Sequence, residues 1–381
     1  MDTIVNSKDF PASRTCTYLN AANVALMYKG TDKAITKWQK DLAENGSINF
    51  DENAEAAVFN DLHDAAASLF SARPEDIAVG SSATELISSL AWAIAPVSGA
   101  NIISTDIVFP STLYPWLRVS KHTKCEVRLA QSKNSYVELD DVIRLIDNNT
   151  AVVCISHVEY SGGQCYDLQK LSVAAHDHNA LLIVDATQSA GAIPINAPGL
   201  GVDALISGAY KWLCGPFGVA VMYLASHLQE ELEPGLVGFR SHKDMWDLQA
   251  DRLEFPKTAH RFEFSTMAYG CAIGLARSIE YLVNIGVERI FSYNTHLADM
   301  LIDGLEELNV EIISPRHERE RTSIVAARIP GKDPAEVTRK LKEAKVFVSC
   351  RKDFIRFSPH LYNKPDDIQQ TLDRIKEILS E

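Results

Sequence analysis

Between residues 181 and 218 the chain reads LLIVDATQSAGAIPINAPGLGVDALISGAYKWLCGPFG. An apolar run ends in a single carboxylate, Asp185. A second run, 202–206, leads to Ser207, Tyr210 and Lys211, then to a turn rich in glycine and proline. An acid and a lysine, each at the end of an expected strand, are the pair that pyridoxal 5'-phosphate (PLP) chemistry requires. The amine holds the cofactor aldehyde as a Schiff base, and the carboxylate keeps the pyridine nitrogen protonated so that the ring accepts electrons. Each residue also has a plainer use. Strand-terminal Asp residues cap helices, and most lysines carry their charge out to water. Burial separates the two readings. An ionised Asp in apolar surroundings is costly unless paired, and a Lys flanked by Tyr210 and Trp212 is desolvated, which frees its amine.

Other residues extend the pattern. In VGSSATELISSLAWAI (79–94), Ser81, Ser82, Ala83 and Thr84 follow an apolar run and open a helix-periodic segment. Backbone N–H groups and hydroxyls converge at such a start, which suits a phosphate; SATE is also a capping box, and both uses share one geometry. Phe109, in IVFPSTLYPW, can stack on a planar ring. Arg356, in FIRFSPHLYN, can offer a two-pronged fork to a carboxylate. No metal signature is present: His176 and His178 are two apart, and there is no HExxH. Walker, GxSxG and strand-following GxGxxG motifs are missing too, so nucleotide hydrolysis, serine-hydrolase and NAD-dehydrogenase readings are disfavoured.

These residues need a scaffold, and the rest of the chain supplies its outline. With 381 residues, 46% hydrophobic and 23% charged, the sequence has the length for two domains and an ordinary globular composition. Its net charge of −13, spread along the chain, disfavours nucleic acid and anionic membranes as partners. Seven unpatterned cysteines fit a reducing compartment. The first residues lack a signal pattern, so a cytoplasmic protein is expected. Short apolar runs at 77–79, 101–103, 151–155, 181–184, 204–206 and 219–223 alternate with stretches of helical length such as 140–147 and 168–178. That alternation predicts an α/β fold around a mostly parallel sheet. From about 265 the pattern changes. Long amphipathic helices over 272–308, a strand at 323–329, a helix at 334–344, a strand at 346–349 and a helix at 365–379 predict a smaller α+β unit. The expected division is an N-terminal arm (1–20), a large cofactor domain (21–264) and a small C-terminal domain (265–381).

Taken in order, these motifs resemble the class V aminotransferase group of fold-type I PLP enzymes, which includes cysteine desulfurases, selenocysteine lyases, kynureninases and isopenicillin N epimerases. The likeness runs from YLNAANVAL (18–26) to IRFSPHLYN (355–363). Its most specific part is VDATQSAG followed by SGAYKWLCGPFG, with the lysine 26 positions after the aspartate. The resemblance implies that Lys211 carries the cofactor and that Asp185 faces the pyridinium nitrogen. It implies that Gln188 bonds the phenolic oxygen, and that Ser207 and Tyr210 join Ala83 and Thr84 around the phosphate. Thr266, in RFEFSTMAYG, matches a residue that family dimers lend to the neighbouring phosphate cup, so a homodimer is implied. Arg356 matches the arginine that binds the substrate α-carboxylate.

Departures from the desulfurases bear on the reaction. They place a histidine over the ring; this chain has Phe109, as kynureninases do. Tyr160, in HVEYSGGQ (157–164), stands where desulfurases carry a substrate-contacting asparagine. Desulfurases also carry a persulfide-forming cysteine on a loop before the substrate arginine, whereas Cys350 lies too close to Arg356 for that loop. The resemblance thus favours a C–S β-lyase acting on a cysteine-type amino acid, with amino transfer second, epimerisation third and a non-catalytic interaction module as the reading from another class. Trp116, Tyr160, Arg351 and His360 are candidates to line the substrate pocket.

Overall fold

The computed structural model describes residues 3–381. A two-residue strand, β1 (Thr17–Tyr18), precedes three helices: α1 (Lys29–Asn45), α2 (Glu52–Ala56) and α3 (Asn60–Phe70). The central part runs β2 (Ile77–Gly80), α4 (Ala83–Ile94), β3 (Asn101–Thr105), α5 (Pro110–Thr123), β4 (Glu126–Ala130), α6 (Leu139–Ile143), β5 (Thr150–Ser156), α7 (Leu168–His176), β6 (Leu181–Asp185), β7 (Ala204–Gly208) and β8 (Ala220–Leu224). The remainder is α8 (Tyr269–Ile285), α9 (Val287–Glu307), β9 (Glu311–Ile312), β10 (Val325–Arg328), α10 (Pro334–Glu343), β11 (Val346–Phe347), β12 (Ser349–Cys350), β13 (Ile355–Phe357) and α11 (Pro365–Ser380).

Seven strands form the main sheet in the order β2-β8-β7-β6-β5-β3-β4, parallel except for β8, which runs against both neighbours. All six apolar runs expected to be strands are in it. Successive side chains go to opposite faces: Leu182 and Val184 enter one hydrophobic cluster, Ile183 the other. Strands buried on both faces read as continuous apolar runs, which is why they were visible in the sequence. β4 was not anticipated. It is an edge strand whose Glu126 and Arg128 pair with each other in partial contact with water, so its apolar content is low.

The smaller sheet, β12-β13-β10-β9, is antiparallel and packs under α9, α10 and α11 around Leu297, Leu301, Val325, Leu341, Phe357 and Ile375. The strand expected at 346–349 is two short ones: β11 pairs with β1 in parallel, and β12 pairs with β13. Residues 17–19 are thus tied to the small unit. The following backbone crosses to the large one, with Ala25 N–H donating to Tyr210 O (3.0 Å) and Tyr28 N–H to Cys214 O (3.0 Å). The expected boundary at 265 falls ahead of α8, whose Ala272, Leu275, Ala276 and Ile279 belong to the large cluster, whereas the small cluster takes its α9 residues from Tyr293 onward. No helix among the described residues is long and apolar enough to cross a membrane.

Candidate active site

The C-terminal ends of the parallel strands converge on one cleft, where open α/β sheets place their ligands. β2 ends at Gly80, β5 at Ser156, β6 at Asp185 and β7 at Gly208. The cleft encloses about 720 Å³, counting the solvent at its mouth, and its wall includes Thr84, Phe109, Tyr160, Asp185, Gln188 and Lys211.

At one end, Ser82 caps α4 by accepting from Glu85 N–H (3.2 Å), while Glu85 folds back to accept from Ser81 N–H (3.1 Å). The first turn of a helix leaves its leading N–H groups without intrahelical partners, so those of Ala83 and Thr84, residues of the cleft wall, are free to donate. Gly80 permits the tight approach of strand and helix, since a methyl group there would lie 2.6 Å from Leu86 Cγ. Tyr210 flanks this end, its ring stacked on Phe217 at 4.7 Å. Ser207 does not reach the cleft as expected. It is fully buried and donates to Gly208 O (3.2 Å), and Gly208 takes its place on the wall. Thr266 is exposed on the segment before α8 and is not part of this wall.

In the middle lies Asp185. Its Oδ1 accepts from Thr187 N–H (2.9 Å), an Asx-type turn, and its Oδ2 accepts from the Thr112 hydroxyl of α5 (2.7 Å). Each oxygen keeps a free lone pair, so the carboxylate can still accept from a protonated ring nitrogen. Gln188 is held at both ends of its amide. Nε2 donates to Ala22 O (3.0 Å) and Oε1 accepts from Trp212 Nε1 (2.8 Å), which leaves one N–H for a ligand. Thr112 and Thr187 were missed in the sequence. The D-x-T spacing signals the second; the first needs the packing of α5 on β5, which brings Thr112 to Asp185 at the end of the next strand.

Lys211 is 7% exposed, with Nζ 5.3 Å from the centre of the Phe109 ring and 5.6 Å from that of Tyr210. Burial pushes its amine down to about 8; Asp185 opposes the shift, and Arg356 and Arg351 add to it. At pH 7 about one amine in ten is then neutral, against about one in 3,000 for an ordinary lysine. Stability follows from the same shift. Between about pH 8 and the unfolded-state value of 10.5 the native chain binds fewer protons than the unfolded chain, so stability rises with pH across that window and is lowest below it. The Lys211→Met apoprotein is therefore expected to exceed wild-type apoprotein by on the order of 3 kcal/mol at pH 7, the gap closing towards pH 10.5. Denaturant titrations at the two pH values check this; a gap of constant size would contradict it.

At the far side, Arg356 is fully buried and donates through Nη1 to Tyr160 O (2.5 Å), while Nε and Nη2 have no partner among the described residues. Burial and Arg351 both disfavour its charge. The 157–164 loop that supplies the Tyr160 carbonyl is anchored by Glu159, which accepts from the Thr105 hydroxyl (2.9 Å) and Tyr166 OH (3.2 Å). Burial pushes the Glu159 carboxyl up to about 7. Phe109 meets the Tyr160 ring edge-on at 5.3 Å. Of the other pocket candidates, Arg351 shares the cleft with Tyr160 and Arg356. Trp116 and His360 do not. Trp116 is fully buried among the apolar side chains of the α4–α5 face, and His360 is enclosed between Trp212 O (3.1 Å) and Asn294 Nδ2 (3.0 Å).

The aminotransferase class-V profile matches residues 17–371. The chain belongs to this family. It is a PLP-dependent enzyme of fold type I. An uncharacterized aminotransferase of Bacillus subtilis, YcbU, is 26% identical over 366 residues, covering 96% of this chain and 95% of that protein. A probable cysteine desulfurase of Pyrococcus abyssi is 24% identical, covering 98% and 96%. Among solved structures, the apo cysteine desulfurase of Thermococcus onnurineus NA1 superimposes with a TM-score of 0.89 at 24% identity, covering 98% of this chain and 97% of that one. The cystine C-S lyase C-DES, solved with its reaction product cysteine persulfide, gives 0.88 at 22% identity, covering 97% and 99%. At these identities the superpositions establish the fold alone. The chain's own residues fit the cofactor: a desolvated amine, a carboxylate with lone pairs to spare and a helix start with free donors line a single cleft.

Proposed function

We propose that this enzyme is a C–S β-lyase acting on a cysteine-type α-amino acid, with Lys211 as the residue that carries the cofactor. The observation that carries the amino-acid reading is the bare Nε/Nη2 edge of buried Arg356, in a cleft that also holds Lys211. A buried guanidinium with two unfilled donors is costly, and a carboxylate satisfies both in a bidentate pair. Bound PLP supplies an electron sink that stabilises negative charge at the substrate Cα.

The side chains divide the remaining work. The N–H groups of Ala83 and Thr84, with Ser82 and Tyr210, hold the phosphate. Gln188 donates to the phenolic oxygen. Asp185 keeps the ring nitrogen protonated, its own position fixed by Thr112 and Thr187. Phe109, beside the Lys211 amine, would cover one face of the ring. Arg356 orients the substrate by its carboxylate, which presents the Cα proton to Lys211. The Lys211 amine, when free, would take that proton as general base. The overall reaction would be L-cysteine plus water giving pyruvate, ammonia and sulfide.

Elimination is favoured over sulfur transfer by the short hairpin at Cys350. β12 pairs with β13 directly, Cys350 opposite Ile355, and only residues 351–354 form the turn. Such a turn holds Cys350 on the strand rather than on a reach of mobile chain. C-DES, a cystine C-S lyase, has this fold. We place the enzyme in the cytoplasm, which suits its seven free cysteines. The working unit in this reading is a homodimer, in which exposed Thr266 completes the partner's phosphate cup.

Adding L-cysteine to the holoenzyme tests the reading. Pyruvate and sulfide should accumulate while the visible cofactor band persists. Bleaching of the band, restored by a keto acid, would make the enzyme an aminotransferase, and loss of chirality without products would make it an epimerase. Arg356→Gln should keep the cofactor and lower kcat/KM for the amino acid by about 100-fold or more, mostly through KM, because one member of a buried charged pair is lost. An unchanged KM would remove Arg356 from the substrate site.

A further inference from the structure

The cleft has more positive charge than one carboxylate can use. In the β12–β13 hairpin Ser349 lies opposite Arg356 and Cys350 opposite Ile355, and Arg351 N–H donates to Phe354 O (2.8 Å) across the turn. Side chains alternate between the faces of a hairpin. Residues 349, 351, 354 and 356 therefore share a face, with Arg351 and Arg356 as diagonal neighbours, about 7–8 Å apart by usual sheet geometry. Both line the same part of the cleft, with Tyr160 and Lys211. Nε of Arg351 is buried and unpartnered among the described residues, and its Nη1 reaches only the Cys350 carbonyl (3.0 Å). The contrast with Arg328 is direct: it stands on the neighbouring strand β10 and is paired with both Glu311 and Asp353.

Two guanidinium groups that face one cleft, with no ion pair among the described residues, repel each other and lose hydration. Arg356 alone already presents the two donors that an α-carboxylate takes. Arg351 is half-buried beside the turn, one step further along the hairpin, and still has donors to fill.

We infer that Arg351 binds a second anionic group at the distal end of the substrate, so that the preferred substrates are α-amino acids bearing two carboxylates. This inference rests on the lyase reading for its chemistry and adds the substrate class. Two kinds of molecule share the feature: cysteines whose sulfur carries a short acidic group, and longer disulfide- or thioether-linked amino acids with a carboxylate at each end. The spacing of the two charges distinguishes them.

The test is calorimetric binding of unreactive acids to the holoenzyme, whose cofactor content is read from its visible band. Straight-chain dicarboxylates of four to eight carbons are compared with monocarboxylates of equal length. At least one diacid should bind about ten-fold or more tightly than its monoacid, the best length reporting a short or a long substrate. Arg351→Gln should abolish that advantage and leave monoacid affinity within about two-fold. Arg351→Lys, which keeps the charge without the fork, should retain part of it. The inference is overturned if no diacid gains, or if Arg351→Gln weakens monoacids equally, which would mean that both arginines hold one carboxylate. Its failure is separable from that of the lyase reading: pyruvate and sulfide from L-cysteine with no diacid preference would discard Arg351's role alone, and a diacid preference without elimination would discard the lyase alone.

Discussion

Lys211→Ala should yield a folded protein that binds no cofactor covalently and has lost about 10⁴-fold or more of its turnover. Two functions go together. The covalent anchor disappears, and so does the general base, which by itself contributes up to about 10⁴. The fold should persist because Lys211 lies at the cleft wall rather than in a cluster of apolar side chains, and its buried amine costs the apoprotein stability. A far-ultraviolet spectrum matching wild type, together with loss of the visible band after dialysis with PLP, is the expected pair of readings. A retained band would place the anchor on another lysine. Added amines are expected to restore part of the turnover, since they replace the base and not the anchor.

Asp185→Asn should separate chemistry from architecture. Asparagine keeps the shape, can accept from Thr187 N–H and can donate to the Thr112 oxygen, so the turn after β6 survives. What it loses is the negative charge facing the ring nitrogen. Breaking a buried charge pair costs about 3–5 kcal/mol, which corresponds to about 10²–10⁴ in kcat if the pair is made in the transition state. Covalent attachment at Lys211 should persist, because the amine stays buried and loses only the Asp185 charge that favours its protonation. A kcat within ten-fold of wild type would show that the ring nitrogen has no need of this carboxylate.

Asp185 and Lys211 were legible in the sequence because strands buried on both faces end abruptly in polar residues, and the strand ends are where this fold assembles its ligand site. Ser207 fell one position from the right place. Its neighbours Leu205 and Ile206 face opposite clusters, and only the pairing of β7 with β8 shows that Gly208 is the residue on the wall. Trp116 and His360 carried the wrong expectation for a related reason. Each is chemically suited to a pocket, yet His360 spends its ring nitrogens on Trp212 and Asn294, 148 and 66 positions away, a contact no local pattern announces. Thr112 was invisible for the same cause, since its partner Asp185 lies 73 positions on. The Arg351–Arg356 pairing needed the hairpin register, which separated one strand expected at 346–349 into two.

The most direct measurement is to reduce the holoenzyme with borohydride, digest it and locate the pyridoxyl group by mass spectrometry. One modified site is expected, at Lys211, and no modified peptide from Lys211→Ala treated in parallel. A single adduct on any other lysine, with Lys211 unmodified, would contradict this assignment.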